Sequence, residues 1–253
     1  MSIRALVPEQ AGPRLVRLDA LRGVAVLWMT AFHFSFDLAH FGLTQQNFYH
    51  DPVWLWQRTA ILSLFLFCAG LGQSLALING QSWRRFWQRW LQIAGCAALV
   101  SAGSYLMFPN SWIYFGVLHG MAVMLLIARL TARWGRWLGL GAWVAIVLAQ
   151  LAPWLHLHGA LAPWLDAPAW HWLGLLSHKP FTEDYVPLLP WLGVMWVGVA
   201  LGPWVHARGW LTGSWPAHRA TAAMTVIGRW SLSWYLLHQP VLIGMLMAFM
   251  ALR

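Results

Sequence analysis

Long apolar runs follow one another along the whole chain and are separated by short polar stretches. Each run holds about 20 mostly apolar residues, the length that an α-helix needs to cross a hydrocarbon core. The runs are continuous and do not alternate in the way of outer-membrane β-strands. The pattern therefore predicts an all-α, polytopic transmembrane helix bundle with about seven spans: Leu15–Phe41, Val53–Ile78, Leu91–Phe108, Ser111–Leu130, Trp137–Leu155, Pro187–Val205 and Thr225–Leu252.

The composition excludes most other classes of protein. Of the 253 residues, 60% are hydrophobic and 9% are charged, and the mean hydropathy is +0.57. Soluble domains carry about a quarter charged residues, and disordered chains combine low hydrophobicity with many charges. Two cysteines are too few for a disulfide-built domain. We therefore expect an integral membrane protein that forms a single domain over residues 1–253.

The basic residues orient the predicted bundle. The net charge is +9, which on a soluble protein would suggest a nucleic-acid partner. Arg4, Arg14 and further arginines precede or open the first span or follow the second, fourth and sixth, whereas most acids lie in the alternate loops. The positive-inside rule then predicts a cytoplasmic N-terminus and an outside C-terminus, as an odd number of spans requires. We expect the bilayer, and no nucleic acid, as the partner of this charge.

Ionisable side chains inside a membrane are costly, so the histidines within the predicted spans are candidate functional groups. His33 follows Arg22 by eleven residues, about three turns, so both share one face of the first helix. Asp37 lies one turn further on that face and would orient the His33 ring. His119 is predicted about 12 Å inside the outer end of the fourth span, and His238 about 20 Å above the inner end of the seventh. Each histidine could instead be a packing residue bonded to a neighbouring helix.

Two sets of arginines have both a membrane explanation and a functional one. Arg58, near the outer end of the second span, either reaches the surface or, as we favour, pairs with Asp37 or Asp51. Aromatic and basic residues alternate in the predicted cytoplasmic stretch that follows the second span. This stretch would bind anionic lipid headgroups or a phosphorylated, adenine-bearing donor, through Arg84, Arg85 and Arg89.

The longest predicted connection runs from His156 to Val186 and is rich in histidine. The spacing of its four histidines matches no tight zinc pattern, so we expect no metal site. A lid or re-entrant segment over an outside-facing cavity and a plain connector both remain open. The four residues are His156, His158, His171 and His178.

Several stretches resemble known membrane acyltransferases. The Asp-x-x-Arg-Gly sequence at Asp19–Gly23, followed by His33, resembles the opening of enzymes that modify bacterial surface sugars. Four further stretches occur in the same order as in the bacterial branch of the heparan-alpha-glucosaminide N-acetyltransferase catalytic-domain family. They are Phe65–Leu75, Phe115–His119, Asp184–Gly193 and Ser231–Pro240, so the resemblance covers nearly the whole chain.

The resemblance implies that an acyl group, expected to be acetyl, passes from cytoplasmic acyl-CoA to an outward-facing sugar or glycoconjugate at a bacterial inner membrane. His33 would take a proton from the acceptor or carry the acyl group itself, with Asp37 beside it. The remaining roles would be contacts to the acceptor or the thioester and contacts to the CoA phosphates. The first set is His119, His238, Arg58 and His50, and the second is Arg22, Arg84, Arg85 and Arg89.

The resemblance leaves the key histidine open. The lysosomal member of the family carries Asn at the position of His33, and its working histidine lies in the following luminal loop. His50 is the nearest counterpart of that histidine here. The acceptor, the acyl length, an acyl-histidine step and the oligomeric state, including a homo-oligomer, also remain open.

Two functions from other classes fit part of the sequence. His33 facing His119 or His238 would ligate haem in a redox membrane protein, although the sequence lacks the paired histidines on each of two helices that a multi-haem bundle requires. A small-solute transporter would show inverted repeats and broken helices. The Arg22–Asp37 pattern has no second copy in the sequence, which argues against a transporter.

Overall fold

A computed structural model describes residues 15–158, 162–211 and 219–252. Arg4 and Arg14, which were used above for orientation, lie outside these residues. The described chain is helical, as the apolar runs predict. Its α-helices are α1 (Val16–His40), α2 (Pro52–Ile78), α3 (Trp83–Met107), α4 (Val117–Thr131), α5 (Trp137–His158), α6 (Ala162–Leu165), α7 (Trp191–Ala207), α8 (Arg219–Arg229) and α9 (Ser231–Ala251), with a 3-10 helix at Pro168–Leu173.

Side-chain caps set where α2 and α3 begin. The Asp51 carboxylate accepts the backbone N–H of Val53, and Pro52 occupies the first helical position, where its missing N–H costs nothing. The Ser82 hydroxyl oxygen accepts the N–H of Arg85. Helix α3 therefore begins eight residues before the predicted span at Leu91, and the basic, aromatic stretch forms its first two turns.

Glycines bring two pairs of helices into close contact. In the α2–α7 pair, a Cβ at Gly70 would meet the Met195 carbonyl, and one at Gly198 would meet the Phe67 carbonyl. In the α1–α8 pair, Gly23 lies against the backbone of Met224 in the same way. Small residues that allow backbones to approach are typical of helix packing in membranes, and the α2–α7 pair forms the centre of the bundle.

The last predicted span is wrong as a single helix. The chain from Thr225 to Leu252 is divided at Trp230, which ends α8 and is the N-cap of α9. Helix α8 packs along α1, whereas α9 packs against α1 and the edge of α3. The two halves contact successive parts of α1, since Met224 of α8 lies at Gly23 and His238 of α9 lies at His33.

Four of the described helices are long and apolar enough to cross a membrane: α2, α3, α5 over Trp137–Trp154, and α9. Helices α4 and α7 are apolar but shorter. Helix α1 has 25 residues and carries charged side chains at both ends. The protein is therefore a polytopic helical membrane protein, while the count of seven spans stays a prediction.

Candidate active site

A pair of histidines joins α1 to α9. The Nδ1 atom of His33 lies 2.7 Å from Nε2 of His238, although the two residues are 205 positions apart in the chain. The rings are nearly parallel, with centroids 4.9 Å apart. His238 is buried and His33 is partly exposed. The structure therefore brings together two of the three histidines that the sequence singles out.

The hydrogen bonds of this pair determine which nitrogen atoms carry hydrogen. The Nδ1 atom of His238 lies 2.8 Å from the Tyr235 carbonyl oxygen and 3.2 Å from that of Trp234. A carbonyl oxygen only accepts, so His238 Nδ1 must donate. In a neutral His238 ring, Nε2 then accepts from His33 Nδ1–H. The Nε2 atom of His33 is left with a free lone pair, as a base or a nucleophile requires.

Asp37 does not occupy the orienting position that the sequence suggests. Its Oδ1 atom accepts from Nε2 of Gln239 at 2.7 Å, while His238 is the residue bonded to the His33 ring. A third pair, Trp234 donating to Thr30, lies on the same seam. From one pair to the next, the residue numbers increase in the same direction on both helices, so α1 and α9 run parallel.

Asp184 connects the histidine pair to the start of α4. Its Oδ2 atom accepts the backbone N–H of Val117 at 2.7 Å, where the helix dipole favours a negative charge. Gly116 makes room for this contact, because a Cβ there would collide with the carboxylate. Tyr235, three residues before His238, directs its hydroxyl at the same carboxylate. Burial raises the pKa of Asp184, against the lowering effect of these hydrogen bonds.

Arg58 forms no ion pair with Asp37 or Asp51, the partners predicted for it, among the described residues. The guanidinium acts electrostatically on Asp184 and on Lys179 from the loop before α7. This effect on Asp184 acts at a distance, without an ion pair between the two side chains in the described contacts. The Arg58 side chain remains exposed, which places a cation at the outer edge of the site.

His119 lies in the first turn of α4, so its predicted depth of about 12 Å is wrong. The helix begins six residues after Ser111 because the segment before it pairs with residues 182–186, through bonds such as Val186 N–H to the Phe115 carbonyl. The His119 ring bonds Ser101 Oγ at 2.9 Å and the Gly116 N–H at 3.3 Å. The Ser101 bond holds α3 to α4, and the Gly116 bond lies within the first turn of α4, so both ring nitrogens are occupied.

His50 lies outside the helix seam. It is exposed in the turn before α2, where its backbone N–H bonds to Asn47 Oδ1 at 3.1 Å. The neighbouring Phe48 is buried and packs on Phe32 and Trp54. The structure thus places His33, and not His50, against another ionisable side chain of the bundle.

The arginines that the sequence predicts to be cytoplasmic fall into two groups. Arg22 bonds Asp19 at 3.2 Å and lies against Gly72 of α2, while Arg229 approaches the same Asp19 at 3.8 Å. The second group lies in the first two turns of α3, whose free N–H groups also favour anions. In this group Arg84 and Arg89 are exposed and Arg85 is partly buried.

Sequence reasoning missed four residues of interest. Asp184 and Tyr235 lie inside the stretches that carried the resemblance, and Asp184 is one of only seven acids in the chain. Gln239 adjoins His238, but an isolated glutamine gives no signal. Arg129, assigned to a loop, is buried at the end of α4, where it donates to Gln81 and lies over Trp83 and Phe86.

Three histidines of the long connection, His156, His171 and His178, make separate hydrogen bonds, and the side chain of His158 lies outside the described part. His156 Nε2 donates to the Leu175 carbonyl at 2.8 Å, and His171 bonds the Tyr114 hydroxyl at 2.7 Å. Asp166 accepts from the N–H and the hydroxyl of Ser177, and the N–H bond lowers the pKa of Asp166. In the part of the chain that the structure describes, no group of three His, Cys, Asp or Glu side chains could hold a metal ion.

Comparison with known proteins gives one family. Residues 14–240 match the family described as "Heparan-alpha-glucosaminide N-acetyltransferase, catalytic". Comparisons with curated proteins and with solved structures return no match.

Proposed function

The chain belongs to the heparan-alpha-glucosaminide N-acetyltransferase catalytic family, and from this premise we propose that His33 is the base that activates its acceptor. As a member of this family it is a transmembrane acyltransferase. The proposed donor is cytoplasmic acetyl-CoA, and the proposed acceptor is a sugar or glycoconjugate that faces outside. The proposed location is a bacterial inner membrane, with the whole chain acting as one domain.

The observation that carries this proposal is the hydrogen-bond chain through the histidine pair. The Tyr235 carbonyl fixes the His238 tautomer, and His238 in turn fixes that of His33. A base whose lone pair is held in one direction by such a partner is the arrangement that general-base catalysis uses. His50, exposed and without such a partner in the described contacts, fits this role less well.

The proposed reaction is direct transfer. The His33 Nε2 atom takes a proton from a hydroxyl or amine of the acceptor as that oxygen or nitrogen bonds to the thioester carbonyl carbon. The carbon–sulfur bond then breaks, and the CoA sulfur leaves with the electron pair and takes the proton that His33 Nε2 accepted. Arg58 would contact the acceptor at the outer edge of the site, where it lies near Asp184.

The donor would approach from the cytoplasmic side. Arginine binds phosphate groups bidentately, and a helix N-terminus adds partial positive charge. Both are available at the start of α3, at Arg84, Arg85 and Arg89, and Arg22 lies between α1 and α2. We propose these four as the residues that hold the CoA phosphates.

The test is acetyl transfer by the protein purified in detergent. The probe acceptor is methyl α-D-glucosaminide, because the family description names a glucosaminide. We expect His33→Ala to lower kcat by about 100-fold or more, the usual contribution of a general base, and His238→Ala to lower it less. His206→Ala is the matched control, since His206 is an exposed histidine at the end of α7.

Two results would contradict the proposal. One is wild-type transfer no faster than the uncatalysed reaction, and the other is full activity in His33→Ala with loss in His50→Ala. A visible haem absorption band would instead favour the redox alternative. That alternative has weak geometric support, because the direct 2.7 Å bond between the two rings leaves no space for an iron atom between them.

A further inference from the structure

Two buried oxygen atoms beside the histidine pair have no hydrogen-bond donor. Asp37 is only 2% exposed, and its Oδ1 atom is used by Gln239, but its Oδ2 atom has no partner among the described residues. The Oε1 atom of Gln239 is also buried and also unpartnered there. Buried acceptors without a donor are costly, so native structures rarely leave them unfilled.

No cation among the described residues fills this position. Among the described residues, no Lys or Arg lies within ion-pair distance of Asp37, and the charge that acts on it is that of His40 on the same helix. The site therefore presents two acceptor oxygens and lacks matching donors, which favours a ligand rich in hydroxyl or amine groups.

The position of Asp37 and Gln239 relative to His33, the proposed base, is also defined. Asp37 is one helical turn beyond His33 on the same face of α1, a rise of about 6 Å. Gln239 follows His238 directly on α9, so the two cross-helix pairs lie next to each other on one seam. A sugar carries donors on neighbouring carbons, so one donor can reach this pair while another lies at His33.

We propose that Asp37 and Gln239 bind the acceptor, with Asp37 Oδ2 and Gln239 Oε1 each accepting a hydrogen bond from a hydroxyl or amine of that molecule. This inference rests on the proposed function, since it assumes that the acceptor reaches His33. It assigns Asp37 to substrate binding in place of orienting the histidine.

The competing explanation is a closed pair. A protonated Asp37 would donate from Oδ2 to Gln239 Oε1 and satisfy both atoms without a ligand. The variant Asp37→Asn separates the two explanations, because its amide reproduces the hydrogen-bonding pattern of the protonated acid. In that variant the two amides bond to each other twice, and both oxygens are occupied.

The expected result for Asp37→Asn is an acceptor KM raised about 10- to 100-fold, the effect of losing a hydrogen bond to a charged group. The KM for acetyl-CoA should stay unchanged. The exchanged variant Asp37→Asn/Gln239→Glu again has one carboxylate and one amide, so it should recover most of the affinity. An unchanged acceptor KM in Asp37→Asn would establish the closed pair and overturn the proposal.

Monodeoxy analogues of methyl α-D-glucosaminide identify a direct contact. With the wild type, one analogue should have a lower affinity than the parent sugar, by the same factor by which Asp37→Asn lowers the affinity for the parent. The variant should not lower the affinity for that analogue any further. If every analogue weakens in the variant by the same factor as the parent, the pair is structural and the proposal fails.

Equilibrium binding of the same sugar, measured by isothermal titration calorimetry, separates this inference from the proposed function. His33→Ala should weaken sugar binding only about 2- to 10-fold, the effect of one neutral hydrogen bond, whereas Asp37→Asn should weaken it about 10- to 100-fold. Binding that depends on Asp37 without any acetyl transfer would remove the proposed function and keep the acceptor site. Acetyl transfer that does not depend on Asp37 would keep the proposed function and remove the acceptor site at Asp37 and Gln239.

Discussion

The tautomer of His33 is decided by a backbone carbonyl on another helix. The Tyr235 carbonyl accepts a hydrogen bond from His238 Nδ1–H, so His238 Nε2 is left to accept from His33 Nδ1–H. Pro240, inside α9, has no N–H for the carbonyl four residues before it, so this part of the helix backbone is less tightly bonded. An aligned histidine on α1 was predictable from spacing, but its partner was not, because the contact joins positions 205 residues apart.

Asp184 gives a residue-scale prediction about pH. Burial raises its pKa above the ordinary value of 3.8, so the folded protein holds this proton more tightly than the unfolded chain does. Stability must then fall as pH rises from about 4 through the raised pKa. Asp184→Asn cannot ionise, so its Tm should fall less than that of the wild type between about pH 4 and pH 7.

Thermal unfolding in detergent at a series of pH values measures this difference. Each kcal/mol corresponds to about 2–4 °C in a chain of this size. Glu183→Gln is the matched control, since it removes the neighbouring negative charge and leaves the contact between Asp184 and Val117. Equal pH slopes for Asp184→Asn and the wild type would show that ionisation of the Asp184 carboxyl does not matter for stability.

At the scale of the elements, the first turns of α3 combine exposed arginines with a helix N-terminus. If the CoA phosphates bind there, Arg84→Gln/Arg89→Gln should raise the KM for acetyl-CoA about 3- to 30-fold, since each charge contributes about 0.3–1 kcal/mol. The acceptor KM should not change. The difference between variant and wild type should shrink in high salt, because exposed charges are screened.

Steady-state kinetics at two ionic strengths make this measurement. Arg133→Gln removes an exposed cation after α4 and is the control for a general loss of positive charge. An equal rise in KM for Arg133→Gln would mean that the surface attracts the donor without a defined site on α3.

Helix boundaries show where sequence patterns stop being informative. The apolar runs predicted most of the helices, because a chain in lipid must satisfy its backbone within helices. They misplaced the start of α4, since Asp184 caps it at Val117 from a distant loop. They also missed the division at Trp230, because apolar character alone does not reveal where one helix ends and the next begins.

At the scale of the whole molecule, the parallel arrangement of α1 and α9 supports ends on opposite sides of the membrane. The same arrangement agrees with the arginine distribution. We predict that Phe181→Cys, whose side chain is 82% exposed in the native residue, reacts with a membrane-impermeant maleimide in intact cells. Arg136→Cys, exposed after α4, should react only after permeabilisation.

Both variants are made after replacing Cys68 and Cys96 with Ala, since these are free cysteines. Labelling of that cysteine-free protein measures the background. The reverse pattern, with Arg136→Cys labelled in intact cells and Phe181→Cys protected, would invert the proposed orientation and with it the side from which acetyl-CoA approaches.

Local properties of the chain were enough for the membrane class, the helical fold, the family and His33 as a candidate base. These follow from hydrophobicity, charge and short motifs, which act over about one helix length. The partners of His33, Asp37, Arg58 and His119 depended on how the helices pack, because hydrogen bonds require atoms within about 3 Å. The packing of α1 against α9 therefore brings polar residues that are distant in the sequence together in one site.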